Sequence, residues 1–145
     1  LNSFVYANSG NFTRANQEEE FRKLNEMVLL TLPGNSTESL IKGWYGGDVP
    51  LHTPGTTHKA QWVPPGYAGE EVVYLQAIAP YCRTCHVASS VKFDTFQELQ
   101  AQNAVLPDVC STHIMPNAEL TRKAFWNSSA RAHLAGALNW ATHCK

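Results

Sequence analysis

The fold of this chain is decided by residues 70–86, which read EEVVYLQAIAPYCRTCH. The two carboxylates suit the positive end of a helix dipole, and valine, leucine and isoleucine follow them at three-residue spacing. This pattern predicts a helix over 72–79. We expect that helix to end at Pro80, because proline lacks the N–H that a helix interior requires.

Residues 82–86 form the pattern Cys-x-x-Cys-His, which is the signature of c-type haem attachment. Two thiols three residues apart on one turn can reach both vinyl groups of a haem, and the adjacent imidazole is brought under the iron. The sequence therefore predicts one covalently bound haem c. Cys82 and Cys85 would form the thioether bonds, and His86 would bind the iron.

Two other interpretations of the cysteine pair remain open. A thioredoxin-like dithiol should follow a strand in a βαβ unit, whereas here a predicted helix comes first. A zinc site needs a second cysteine pair at comparable spacing, whereas Cys110 and Cys144 lie 34 residues apart. The sequence therefore favours haem attachment over both.

Helices are also predicted along much of the remaining chain. Side chains that cap helix N-termini precede four further segments, at Asn16, Asn35, Asp94, and Ser128 or Ser129. Leu32-Pro33-Gly34 and Gly43 are expected to end the first two of these helices. The β-branched residues never alternate over a useful length, so no strand is predicted. The expected fold class is all-α.

Residues 43–69 are predicted to form a long loop rich in proline, glycine and aromatic residues. A connection of this length inside a compact domain is usually functional or a linker. Its tryptophans and tyrosines favour a segment packed on an apolar surface. We expect His52 and His58, which lie in this loop, to be solvated.

The stretch from about Tyr67 to Cys144 resembles a class I monohaem cytochrome c. The resemblance rests on a helix before the attachment motif, the Met115-Pro116 segment after it, and a closing helix over 130–141. It implies a cytochrome c-like haem core over about 67–145, with residues 1–66 as a helical extension packed on it in a single domain, 1–145. It also implies His86 as the proximal iron ligand and Met115 as the distal one.

Met115 is also favoured as a ligand by its own sequence context. The residue before a proline is restricted to extended geometry, and an extended segment can direct a thioether at a metal. His113 is the alternative distal ligand, because residues two apart on an extended chain point to the same side.

Cys110 and Cys144 remain once the attachment pair is set aside. Bacterial haem attachment of this kind takes place outside the cytoplasm, where disulfides persist. A Cys110–Cys144 disulfide is therefore predicted, with two unpaired buried thiols as the alternative. The expected location is periplasmic or otherwise extracytoplasmic, with any signal or anchor segment lying outside this sequence.

Composition excludes several other classes of protein. The chain has 145 residues, of which 43% are hydrophobic and 16% charged, and its net charge is −1. It lacks the basic character of a nucleic-acid-binding protein and the roughly 18 consecutive apolar residues of a membrane span.

The function expected from these observations is one-electron transfer to and from a redox partner protein or a fused redox domain, not catalysis. The alternative is a haem-based sensor, or a haem enzyme acting on peroxide, nitric oxide or carbon monoxide, whose distal side opens to a small molecule.

Overall fold

The structure is a computed structural model in which residues 6–86, 89–102 and 119–139 are described. Within these ranges the chain contains helices and no strand, so the prediction of an all-α protein is confirmed for them. The chain divides into two compact units between Trp62 and Val63. No described helix combines the length and the apolar composition that a bilayer crossing requires.

The first unit contains a 3-10 turn, Gly10–Phe12, and the helices α1 (Arg14–Leu30), α2 (Asn35–Tyr45) and α3 (Asp48–Leu51). Helix α1 begins two residues before the predicted cap. Asn16 lies inside the first turn, and its side-chain amide donates to the Gly10 carbonyl at 3.0 Å.

Helix α1 buries an arginine, Arg22, which is 3% exposed. The Arg22 side chain donates to the carboxylates of Glu19 and Glu26 and to the Leu51 carbonyl. Leu24, by contrast, is 46% exposed. Arg22 is stabilised in this buried position because its charge and its donors are both satisfied.

Helix α2 passes through Gly43, so the predicted end at that glycine is wrong. The helix stops at Gly46, whose φ of 82° lies in the left-handed region that glycine adopts without strain. A Cβ at Gly43 would collide with the indole of Trp62. The glycine therefore permits close packing of an aromatic ring, and the first part of the predicted long loop is helical.

The second unit is organised around one continuous helical segment, residues 71–86, which we call the motif helix. It consists of α4 (Glu71–Val73), a π-helix (Tyr74–Cys82) and α5 (Arg83–His86), and it follows a 3-10 turn at Pro65–Tyr67. The predicted end at Pro80 is wrong. The i→i+5 bonding of a π-helix carries the chain through the proline to Cys82, and α5 continues to His86.

Three further helices are described in this unit: α6 (Phe96–Ala101), α7 (Glu119–Trp126) and α8 (Ala130–Ala137). Both α7 and α8 pack on the π-helix, although the sequence reasoning had not predicted α7. The buried core comprises Tyr67, Val73, Tyr74, Ala77, Ile78, Ala79, Phe93, Leu99, Phe125, Ala130, Leu134, Ala135 and Leu138.

Candidate haem-attachment site

The motif helix places Cys82, Cys85 and His86 within its last two turns. Cys82 closes the π-helix, is half-buried against the core, and has its Sγ 3.8 Å from the Ala77 carbonyl oxygen. Cys85 lies one residue before His86 in α5, and its side chain falls outside the described part of the structure. One helix end therefore carries the whole attachment motif.

The imidazole of His86 is oriented by a backbone carbonyl. Its Nδ1 lies 2.8 Å from the carbonyl oxygen of Val91. A carbonyl oxygen can only accept, so Nδ1 carries the proton and donates it. The lone pair is then on Nε2. Histidines that bind metals commonly donate the other ring N–H in this way, to a carbonyl or a carboxylate.

Ser89 contacts both partners of this hydrogen bond. Its hydroxyl donates to the Val91 carbonyl at 2.6 Å and accepts the Val91 backbone N–H at 3.1 Å. The same oxygen lies 3.3 Å from His86 Nδ1, and the Ser89 backbone N–H donates to the His86 carbonyl at 3.2 Å. One serine thus links the end of the motif helix to the segment that follows it.

The His86 ring packs against the Phe93 ring at a tilt of 42°, with the two centroids 4.5 Å apart. Phe93 is buried and has a φ of 56°, a left-handed conformation that a bulky side chain rarely adopts. The hydroxyl of Tyr67 donates to the Phe93 carbonyl at 3.0 Å. Residues 89–93 are therefore hydrogen-bonded to the chain at Ser89 and at Phe93, and they contact His86 both at Nδ1 and through the Phe93 ring.

Sequence reasoning missed residues 89–93, which we call the histidine loop. The acceptor for His86 is a backbone carbonyl, and every residue type carries one, so nothing in the sequence marks Val91. Ser89 and Tyr67 belong to residue types that hydrogen-bond in many settings. Only the folded path of the chain brings them to the motif.

A buried cation lies on the same helix. Arg83 is 3% exposed, and its guanidinium carbon lies 4.8 Å from the centroid of the Tyr74 ring. Burial lowers the pKa of Arg83 to about 10, while Tyr67 and Asp94 act in the opposite direction. Burial also raises the pKa of the Tyr67 phenol. Both side chains keep their usual protonation state at neutral pH.

Aromatic side chains lie next to the motif. Tyr81 meets the buried Phe125 edge to face at 5.7 Å, and Phe125 meets Trp126 at the same separation. The guanidinium of Arg131 lies 5.4 Å from the Trp126 ring. Aromatic side chains of helix α7 thus lie beside Tyr81, the residue that precedes Cys82.

The remaining predicted site residues lie outside the described ranges. These are Cys110, His113, Met115 and Cys144, so the distal ligand and the disulfide stay predictions. Among the residues that the structure describes, no group of three or more His, Cys, Asp or Glu side chains is arranged to hold a metal ion.

The two loop histidines differ in their surroundings. The His52 ring is exposed, with Nδ1 2.8 Å from a Glu26 carboxylate oxygen. His58 is half-buried, and its ring meets Trp44 at 5.4 Å and Tyr45 at 6.2 Å, both edge to face. The expectation that His58 is solvated is therefore wrong.

Comparisons of the chain with protein-family models, with curated proteins and with solved structures found no match.

Proposed function

We propose that this chain is an electron carrier with one covalently bound haem c. Cys82 and Cys85 would form its thioether bonds, and His86 would be the proximal ligand. Met115 would be the distal ligand, with His113 as the alternative. We also propose that residues from about 67 to 145 form a haem core like that of class I cytochromes c.

The orientation of His86 carries the proposal. A histidine at the end of a Cys-x-x-Cys-His motif can serve as an axial ligand only when Nε2 has its lone pair. The 2.8 Å hydrogen bond from Nδ1 to the Val91 carbonyl selects that tautomer. A dithiol of the thioredoxin kind would make no such demand on the histidine. The orientation of His86 therefore supports the proposal of a haem ligand.

When bound, a haem supplies an iron centre that takes up and releases one electron. The chain's own residues would then set how readily that happens. The hydrogen bond from Nδ1 of His86 to the Val91 carbonyl would make Nε2 a stronger electron-pair donor to the iron. A methionine as the second ligand favours the ferrous state. Tyr81 and Phe125, whose rings meet edge to face beside Cys82, would add apolar surface next to the attachment site.

The proposed setting is extracytoplasmic, with a redox protein or a fused redox domain as partner. A Cys110–Cys144 disulfide belongs to this setting, because such bonds persist outside the cytoplasm.

Covalent attachment is the first property to test. The chain is expressed together with a haem-attachment system and then extracted with acidified acetone. The colour should stay on the polypeptide, with a mass increase of one haem. Cys82→Ala combined with Cys85→Ala should abolish attachment, whereas Ser90→Ala should not change it. Haem that is fully extracted, or no haem at all, contradicts the proposal.

Carbon monoxide then separates an electron carrier from a sensor or an enzyme. With Met115 on the iron, the reduced protein should bind carbon monoxide slowly, because the gas must displace sulfur. Met115→Ala should bind it readily and lose the weak charge-transfer band near the red edge of the visible spectrum. Immediate, tight binding by the unmodified protein favours the sensor or enzyme alternative. A spectrum altered only by His113→Ala assigns the ligand to His113.

A further inference from the structure

The acceptor of the His86 hydrogen bond lies in the histidine loop, outside the attachment motif. The His86–Val91 hydrogen bond depends on the position of one backbone carbonyl. Residues 89–91 form no regular helix or strand, so a side chain has to supply the order that secondary structure does not.

We propose that Ser89 is a positioning residue for His86. Its hydroxyl holds the Val91 carbonyl in place to receive the Nδ1 proton, and through that bond it raises the electron-donating power of Nε2. This inference rests on the proposed haem function for its consequence, but the hydrogen-bond geometry stands without it.

The hydrogen bonds of the loop support this role. Ser89 has one hydroxyl proton, which goes to the Val91 carbonyl at 2.6 Å, and its oxygen accepts the Val91 N–H at 3.1 Å. Both polar groups of the Val91 backbone unit are therefore held by one side chain. The 3.3 Å separation from Nδ1 leaves the serine oxygen as a second, weaker acceptor for the same proton.

The direction of the effect follows from charge. A ring that donates strongly from Nδ1 carries more negative charge on Nε2, which stabilises the ferric iron more than the ferrous iron. Losing Ser89 frees the carbonyl to move, so donation weakens. The ferrous state is then stabilised relative to the ferric state, and the reduction potential rises.

The test uses three variants with haem attached. Ser89→Ala should shift the equilibrium between oxidised and reduced protein toward the reduced form by about two- to tenfold, the equivalent of one hydrogen bond. Ser89→Thr keeps the hydroxyl and should restore the original potential. Ser90→Ala removes an exposed neighbouring hydroxyl and should leave the potential unchanged. The potential is measured by spectroelectrochemical titration.

A second measurement needs neither haem nor a stable alanine variant. In the unmodified chain labelled with ¹⁵N-histidine, NMR should show the proton of His86 on Nδ1. In Ser89→Ala, if folded, the tautomer with the proton on Nε2 should gain population. A proton on Nε2 in the unmodified chain overturns the inference, as does an equal potential shift in Ser89→Ala and Ser90→Ala, or a Ser89→Thr variant that behaves like Ser89→Ala. If no haem is attached, the proposed function fails while the tautomer still decides the role of Ser89.

Discussion

Two tyrosines in contact in the core should respond in opposite ways to the loss of a hydroxyl group. Tyr67 and Tyr74 are both fully buried, and their ring centroids lie 4.9 Å apart. The Tyr67 hydroxyl donates to the Phe93 carbonyl at 3.0 Å, whereas the Tyr74 hydroxyl has no hydrogen-bond partner among the described residues. Replacing each by phenylalanine removes the same buried oxygen atom, hydrogen-bonded in one case and not in the other.

Tyr67→Phe should lower the free energy of unfolding by about 1–3 kcal/mol, because it leaves a buried carbonyl without a donor. The same carbonyl belongs to Phe93, whose left-handed backbone is itself costly and needs support from its surroundings. Tyr74→Phe should leave stability unchanged or raise it, because burying an unpaired hydroxyl is unfavourable.

The assay is urea unfolding of the protein, followed by far-UV circular dichroism. Tyr74→Phe is the matched control for the removal of a buried phenol oxygen. Equal losses of stability in the two variants would show that the bond to Phe93 contributes nothing, and would refute the reasoning about the histidine loop.

Three other predictions concern backbone packing, acid stability and the cysteines. Gly43→Ala should destabilise the protein by about 1–3 kcal/mol, because the added methyl group overpacks the contact with Trp62. Gly136→Ala, in α8 with open space around it, should stabilise the protein by about 0.5–1 kcal/mol. Thermal unfolding checks both, and equal effects would contradict the packing argument. A hydrogen bond from the Arg22 guanidinium lowers the pKa of Glu19 to about 2 from an ordinary 4.5, so its contribution to stability is present above pH 4.5 and lost as the pH falls toward 2. Glu19→Gln should therefore flatten the stability profile over that range, and an unchanged slope would exclude Glu19. Alkylation of the unfolded, unreduced protein should label neither Cys110 nor Cys144, and quantitative labelling of both would exclude the disulfide.

Helix starts show how far sequence reasoning reaches in this chain. Asp94 with Gln97, and Thr95 with Glu98, both have the spacing of a capping box. The structure uses the second pair: Thr95 accepts the Glu98 N–H at 3.1 Å, and the Glu98 carboxylate accepts the Asp94 and Thr95 N–H groups. The helix was predictable, but two overlapping patterns one residue apart could not be separated by spacing alone.

The candidate site divides in the same way. The Cys-x-x-Cys-His pattern can be recognised in the sequence because haem attachment, which stays a prediction, requires particular side chains at fixed spacing. The acceptor for His86 was not readable, because it is the main-chain carbonyl of Val91. The strained Phe93 was also hidden, since a phenylalanine in the sequence gives no sign of a left-handed backbone. Main-chain hydrogen bonds and main-chain conformations of this kind cannot be predicted from the identity of the residue.

The π-helix ahead of the motif has a consequence for how this helix can vary in length. In an α-helix, one added or removed residue turns everything beyond it by about 100° around the axis. A π-helical turn absorbs an extra residue by widening, so the two flanks keep their facing directions. The stretch Tyr74–Cys82 therefore acts as a buffer between α4 and α5. A single-residue deletion here, which would return a π-helical turn to an α-helical one, should leave the orientation of the motif closer to the original than a deletion in α1 or α2 leaves the residues beyond it, and the hydrogen bond from His86 Nδ1, read by NMR, reports that orientation.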